Sequence, residues 1–275
     1  MKYKLIVSDF DGTLSSSYYT VPEETVNAVK RYRKAGGKFA LCTGRPVSDT
    51  SKVLGVGGLE CDAVCYAQGA IVHVGGKPVL DAGLDKKLAY DIISMVESKW
   101  KRKYLVYVDN AMYYTPATPD VTRHVAFFVQ HGGEGILVDD VLECVKNVKG
   151  SMTKFVIIKG ENEDVSELFK LILDNFGDKV IVNSGNPRFV EVISNKYTKG
   201  TATRLVAKEL GISEEETITI GDSTNDIEMV KFGFGIAVGS GKDEVKKVAK
   251  YIAPPVNEMP VKHVIDMVLS GKDFI

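Results

Sequence analysis

The chain has 275 residues, 44% of them hydrophobic, and its 35 Lys and Arg against 36 Asp and Glu give a formal net charge of -1. This is enough to bury a sizeable core in one large domain or two smaller ones, and the balanced charge speaks against nucleic acid or an anionic membrane as the main partner. No apolar run approaches the roughly 20 residues of a membrane span, and no basic-then-apolar segment opens the chain, so a cytoplasmic location is expected.

The first element is the short apolar run Leu5-Ile6-Val7. Without polar alternation, it reads as a strand buried on both faces, as in a parallel sheet. Asp9-Phe10-Asp11-Gly12-Thr13 follows at its C-terminal end, the edge where open α/β sheets bind ligands. Asp9 and Asp11, spaced i, i+2 on extended chain, are expected to point to one side. Two carboxylates about 4 Å apart repel by roughly 4 kcal/mol at an effective dielectric near 20, so the pair implies a cation, a shared proton, or both. Asp and Gly after a strand also make ordinary turns, and that reading stands beside the chemical one.

Pro22-Glu23-Glu24 opens a helix with Val26, Val29 and Tyr32 on one face, stopped by Gly36-Gly37. Lys38 to Cys42 reads as a strand ending in Thr43-Gly44-Arg45, with Pro46 starting another helix. Ala63 to Ala67 is a further apolar strand, and Ile71 to Leu80 resembles a hairpin around Gly75-Gly76. Strand and helix alternate, which defines an α/β layer.

A middle segment carries helices over Asp85 to Trp100, Val121 to Gln130, Asp139 to Val148 and Asp164 to Phe176. Its strands are expected over Tyr104 to Val108, Met112 to Thr115, Lys154 to Ile158, Lys179 to Asn183 and Arg188 to Ile193. It holds no acid motif, whereas both flanks do. The simplest organisation is an inserted α/β domain over residues 82–195, with 1–81 and 196–275 forming one discontinuous parallel-sheet core.

Beyond it come a helix from Gly200 to Leu210 and the strand Thr217-Ile218-Thr219-Ile220, then Gly221-Asp222-Ser223-Thr224-Asn225-Asp226, repeating the grammar of strand, acids and turn. Helices over Asp226 to Lys231, Asp243 to Lys250 and Val261 to Leu269 and a strand over Gly235 to Val238 complete the chain. Parallel strands place their C-terminal ends along one edge, so Asp222 and Asp226 can join Asp9 and Asp11 there. Four clustered carboxylates need compensating positive charge.

Three further elements suit an anionic ligand at that edge. Thr43-Gly44 offers a hydroxyl and backbone N–H groups, although Thr is also an ordinary helix cap. Lys199, before Gly200, supplies a point charge, although most lysines are simply solvated. Asn225 adds an amide donor, or caps a helix. Cys42, Cys61, Cys65 and Cys144 show no metal or disulfide spacing and read as reduced packing residues. His73, His124, His131 and His263 are too scattered for a zinc site or a Ser-His-Asp triad.

In this order, Asp9-x-Asp11-Gly12-Thr13, Thr43-Gly44-Arg45, Lys199-Gly200 and Gly221-Asp222-Ser223-x-Asn225-Asp226 resemble the motifs of the haloacid dehalogenase (HAD) superfamily. Within it the chain is similar to the Cof-type phosphatases with an inserted type IIB α/β cap. The resemblance covers essentially the whole chain and implies a Rossmann-like core plus cap. It departs at Gln68-Gly69-Ala70, where such relatives often carry Asn-Gly.

The resemblance implies a Mg²⁺-dependent phosphatase of small phosphorylated metabolites, working through an aspartyl-phosphate. Asp9 would be the nucleophile and Asp11 the acid and base. Mg²⁺ would be held by Asp9, the Asp11 carbonyl and Asp222. Thr43, Gly44, Lys199 and Asn225 would bind the phosphoryl group, with Asp226 orienting Lys199 or the metal's waters. Tyr113, Tyr114, Asn183, Asn186 and Arg188 are cap candidates for leaving-group contacts, though buried aromatics and surface polar residues are the plainer reading of each. A phosphomutase and a non-catalytic phosphometabolite-binding module are the competing functions, and nothing here calls for the Schiff-base lysine of a phosphonate hydrolase.

Overall fold

The computed structural model describes residues 1–16, 20–47, 50, 54, 58–109, 111–116, 119–130, 133–186 and 188–274. By contacts the chain divides into two compact units, one comprising Met1–Arg45, Thr50–Asp81 and Tyr197–Ile275, the other Pro46–Asp49 and Ala82–Lys196.

In the first unit, β1 (Leu5–Ser8) is buried throughout. Leu5 and Val7 pack with Ala202, Val206 and Ala207 in one cluster, and the intervening Ile6 is equally buried, so both faces of the strand are covered. It pairs in parallel with β2 (Lys38–Cys42) and β12 (Thr217–Gly221). The register sets Ser8 opposite Leu41 and Ile220, bringing the three strand ends level. Asp9, Thr43 and Asp222 therefore leave the sheet along one edge, where the connections diverge to either side of β1.

The sheet has eight strands, in the order β14 (Tyr251–Ala253), β13 (Phe234–Val238), β12, β1, β2, β3 (Ala63–Tyr66), β4 (Ile71–Val74), β5 (Lys77–Asp81). It is parallel from β14 to β3, and β4 and β5 are antiparallel additions. The expected hairpin forms, with Gly75 and Gly76 both at positive φ, as a tight two-residue turn requires. Helix α1 (Glu23–Lys34) lies against α9 (Pro260–Ser270), while α6 (Lys199–Glu209) belongs to the Leu5 and Val7 cluster.

The start of α6 is set by a reciprocal cap, in which Thr198 Oγ1 accepts from the Thr201 N–H and Thr201 Oγ1 accepts from the Thr198 N–H. Lys199 is thereby fixed as the first helical residue, buried among the strand ends.

The second unit has a six-stranded sheet, ordered β10 (Val180–Asn186), β11 (Phe189–Ser194), β9 (Met152–Ile158), β6 (Lys103–Val108), β7 (Ala111–Tyr114), β8 (Glu134–Leu137). All pairs are antiparallel except β7 with β8. Helices α2 (Lys86–Lys99), α4 (Val141–Asn147) and α5 (Ser166–Phe176) share one core with the sheet, and α3 (Pro119–Gln130) shares another.

The α/β expectation holds, and the differences are local. Strands β8 and β14 were not expected from the sequence; each is a short edge strand, and β8 has no buried residue to mark it. The helix expected over Asp226 to Lys231 is a 3₁₀ turn (Thr224–Asp226) followed by the short α7 (Ile227–Val230), because the Asp226 side chain turns back to the loop's own N–H groups. Helix α8 (Asp243–Lys246) also stops short of Lys250. The helix expected after Pro46 falls largely on residues outside the described set, as does His131.

Between β3 and β4, Ala67–Gly69 form a 3₁₀ turn wedged against the start of α6. Gly69 has φ +99°, and a Cβ there would lie 2.5 Å from the Thr198 carbonyl oxygen. A backbone oxygen cannot swing aside, so Gly69→Ala adds a steric clash to the cost of the left-handed conformation. Gly75, at φ +58° with nothing nearby, isolates the conformational cost alone. In urea denaturation, Gly75→Ala is expected to lose about 1 kcal/mol and Gly69→Ala at least about 2.

Candidate active site

Lys199 is the hub. Its Nζ lies 2.6 Å from Asp9 Oδ1 and 2.6 Å from Asp226 Oδ1, and Lys199, Asp9 and Asp226 are respectively 2%, 4% and 0% exposed. An ammonium has three donors, so one remains for a ligand. Burial opposes the charged ammonium, but Asp226 and then Asp9 outweigh it and hold Lys199 above its ordinary range. For Asp9 burial is the larger influence, and it pushes the carboxyl well above the usual carboxylate range against the pull of Lys199.

Asp226 has no oxygen to spare. Oδ1 serves Lys199, and Oδ2 accepts from the Asp222 N–H at 3.0 Å and the Ser223 N–H at 2.9 Å. Asp226 thus ties the second acid loop to Lys199. Asp222 accepts from the Thr13 hydroxyl at 2.8 Å, which joins the two acid loops directly. Burial raises the Asp222 carboxyl, the Thr13 hydrogen bond working against it.

Asp9, Asp222 and Asp226 each offer a carboxylate oxygen within 4.8 Å of the others, a set able to hold a metal ion. Since both oxygens of Asp226 are engaged, Asp9 and Asp222 are the carboxylates free to ligate. The Asp11 carbonyl accepts no hydrogen bond among the described residues and completes a hard, all-oxygen donor set suited to magnesium. The crowded, partly desolvated oxygens fit a divalent cation.

The Asp11 side chain corrects the expectation that both acids of the first motif point to one side. Strand β1 ends at Ser8, so its alternation does not extend to Asp11. Asp9 turns to Lys199, while Asp11 is gripped by Arg45, with Nε donating to Oδ2 at 2.8 Å and Nη2 donating to Oδ1. Arg45 is 6% exposed and lies over the Phe10 ring at 4.4 Å, which fixes the plane of its guanidinium. Sequence reasoning gave Arg45 no role, although its place in Thr43-Gly44-Arg45 and the need of the acid pair for cations were both legible.

Thr43 is fully buried, and its hydroxyl oxygen accepts the Arg45 N–H at 3.1 Å. No acceptor among the described residues takes the hydroxyl proton, so it remains for a ligand. Asn225, exposed at the rim, donates through Nδ2 to Gln68 Oε1 at 3.0 Å, and the Gln68 amide covers Gly44. Of the expected core residues, Asp9, Asp222, Asp226 and Lys199 form one group, Gly44 and Asn225 meet through Gln68 beside Thr43, and Asp11 lies apart with Arg45.

In the second unit, Tyr113 and Tyr114 pack against its two cores, Asn183 is exposed, and Arg188 pairs with Glu161 at 2.9 Å. The Asn186 side chain lies outside the described set. Sequence reasoning missed a polar group on that sheet, where Tyr107 Oη meets His124 Nε2 at 2.9 Å and Lys154 pairs with Glu191 at 2.7 Å.

A buried carboxylate beside a lysine and a two-loop acid set thus meet at the edge of a parallel sheet, an arrangement suited to a metal ion and an anionic ligand. The chain belongs to the haloacid dehalogenase-like hydrolases, whose family model matches residues 6–265. It is 30% identical to the phosphatase YwpJ of Bacillus subtilis over 97% of this chain and 100% of that protein. A solved haloacid dehalogenase-like hydrolase from B. subtilis is 26% identical, with a TM-score of 0.81 over 96% of this chain and 99% of its own. The HAD subclass IIB sugar phosphatase BT4131 shares the fold, at 23% identity and a TM-score of 0.78, over 98% of this chain and 99% of its own. No helix among the described residues is long and apolar enough to cross a membrane.

The raised Asp222 carboxyl has a consequence for stability. A group that binds its proton more tightly folded than unfolded contributes stability below its unfolded pKa, and that contribution is lost as pH rises through the folded one. At neutral pH the metal-free site is therefore electrostatically strained. Asp222→Asn keeps an acceptor for Thr13 and removes a charge, so without divalent metal it is expected to melt above the wild type at pH 7, the gap closing below about pH 4. Mg²⁺ should raise the melting temperature of the wild type and leave the variant unchanged.

Proposed function

We propose that the protein is a Mg²⁺-dependent phosphatase that hydrolyses a small phosphorylated metabolite through an aspartyl-phosphate on Asp9. The observation that carries this reading is the burial of Asp9 beside Lys199, on the edge it shares with Asp222. A carboxylate so placed is desolvated, oriented, and faced by a cation that also attracts a phosphate dianion.

An Asp9 oxygen attacks phosphorus and the bond to the leaving oxygen breaks, while Asp11, released from Arg45 and protonated from solvent, gives that proton to the departing alkoxide. Asp11 then takes a proton from water, whose oxygen attacks the phosphorus of the phosphoenzyme, releasing inorganic phosphate and regenerating Asp9. Both Asp11 oxygens are held by Arg45, so Asp11 turns to the leaving group when that clamp opens. Lys199, the Thr43 hydroxyl, the Gly44 N–H and Asn225 stabilise the charge of the transferring phosphoryl group. Asp9, Asp222 and the Asp11 carbonyl would hold Mg²⁺, which when bound offsets the repulsion between the carboxylate nucleophile and the substrate dianion.

In this reading the unit at 82–196 is a cap that supplies leaving-group contacts and excludes water during the first transfer. The kinship with a phosphatase supports a small phosphorylated substrate, such as a sugar phosphate, a nucleotide or a phosphorylated cofactor.

The test is phosphate release from p-nitrophenyl phosphate with and without Mg²⁺. Asp9→Asn is expected to lower the rate about a thousandfold or more in folded protein, and near-wild-type turnover would remove Asp9 from the nucleophile's role. Asp11→Asn should lower it by about 10² to 10⁴. Isomerised sugar phosphate appearing without free phosphate would replace the phosphatase reading with a mutase.

A further inference from the structure

Gln68 occupies a backbone conformation that glutamine avoids. Its φ of 61° and ψ of 20° are left-handed, and its neighbour Ala67 also has a positive φ, 48°. Such conformations cost about 1–2 kcal/mol for an L-residue and persist where the surroundings impose them. Here the surroundings are specific. The Ala67 N–H donates to the Arg45 carbonyl at 2.8 Å, and the Gln68 N–H donates to the Thr43 carbonyl at 3.0 Å. On the other side, Gly69 abuts the Thr198 carbonyl that precedes Lys199. The turn is thus clamped between the Thr43 loop and the start of α6.

The side chain continues the pattern. Oε1 accepts from Asn225 Nδ2 at 3.0 Å, and Nε2 lies 2.5 Å from the point where a Cβ on Gly44 would stand. No acceptor among the described residues takes the Nε2 protons. Gln68 therefore bridges two segments otherwise far apart in sequence and leaves a donor beside the Gly44 backbone.

Building on the phosphatase reading, we propose that Gln68 is a phosphate-binding member of the phosphoryl cradle. It aims Asn225 and presents its own Nε2 to the oxygens of the phosphoryl group. The ligand class is a phosphate mono- or dianion, recognised by paired amides. The left-handed backbone is the local cost of placing them.

This assignment separates function from stability, because glycine relieves the backbone while deleting the amide. In the Mg²⁺-loaded full chain, Gln68→Gly is expected to melt at or above the wild-type temperature and to bind inorganic phosphate about tenfold more weakly by calorimetry. In an Asn225→Ala background the same substitution should weaken phosphate binding less than it does in the wild type, the signature of coupled residues. Unchanged phosphate affinity, a lowered melting temperature, or an equal loss in both backgrounds would each overturn the proposal. Turnover of p-nitrophenyl phosphate is read alongside. A wild type that binds phosphate without turnover, with the expected Gln68 effects, overturns the phosphatase reading alone. An active wild type whose Gln68→Gly variant binds phosphate normally overturns the Gln68 assignment alone, and a wild type that does neither overturns both.

Discussion

A single ammonium holds the site together. Lys199 is buried between Asp9 and Asp226, and removing one member of such a buried pair costs about 3–5 kcal/mol because the survivor keeps an uncompensated charge. The second acid loop depends on it, since Asp226 spends its other oxygen on the N–H groups of Asp222 and Ser223. Asp9 depends on it too, and even so burial keeps that carboxyl raised. Three carboxylates, Asp9, Asp222 and Asp226, thus face one ammonium, and this excess of two negative charges favours the binding of a divalent cation.

The fold exists to bring these groups together. Asp9 and Lys199 are 190 positions apart in sequence. They meet because β1 and β12 are neighbours in register within a parallel sheet and because the Thr198 and Thr201 cap starts α6 beside the same edge. Packing on both faces of β1 makes that register rigid, and the turn at Ala67–Gly69 wedges the Thr43 loop against α6. Stability and chemistry are tied at Gly69 and Asp222, where geometric or charge constraints serve the site.

Much of this was legible in the chain. The apolar run before Asp9 and the β-branched run before Asp222 announced buried parallel strands with acids at one edge, and the order of Thr43, Lys199 and Asn225 completed the pattern. What was not legible has physical reasons. Edge strands β8 and β14 are short and carry little burial, so no periodicity betrays them. The direction of Asp11 depends on where the strand stops, and extended-chain alternation misplaces it by assuming one more turn of pleat. The Arg45 clamp and the contact between Gln68 and Asn225 are tertiary, and no local pattern encodes a meeting of side chains from separate loops. In the second unit, Tyr113 and Tyr114 went to its cores, and the polar group around His124 and Lys154 comes from four separate elements.

The central claim is that Asp9, so positioned, carries the phosphoryl group covalently. The most direct test is to mix the Asp11→Asn variant, slowed in dephosphorylation, with p-nitrophenyl phosphate and Mg²⁺, quench in acid, and analyse the peptides by mass spectrometry. The account requires one added phosphoryl group on the peptide containing Asp9 and none when Asp9 is also replaced by Asn. A phosphoryl group on another residue, or turnover by the variant with no adduct trapped at any time, would contradict it.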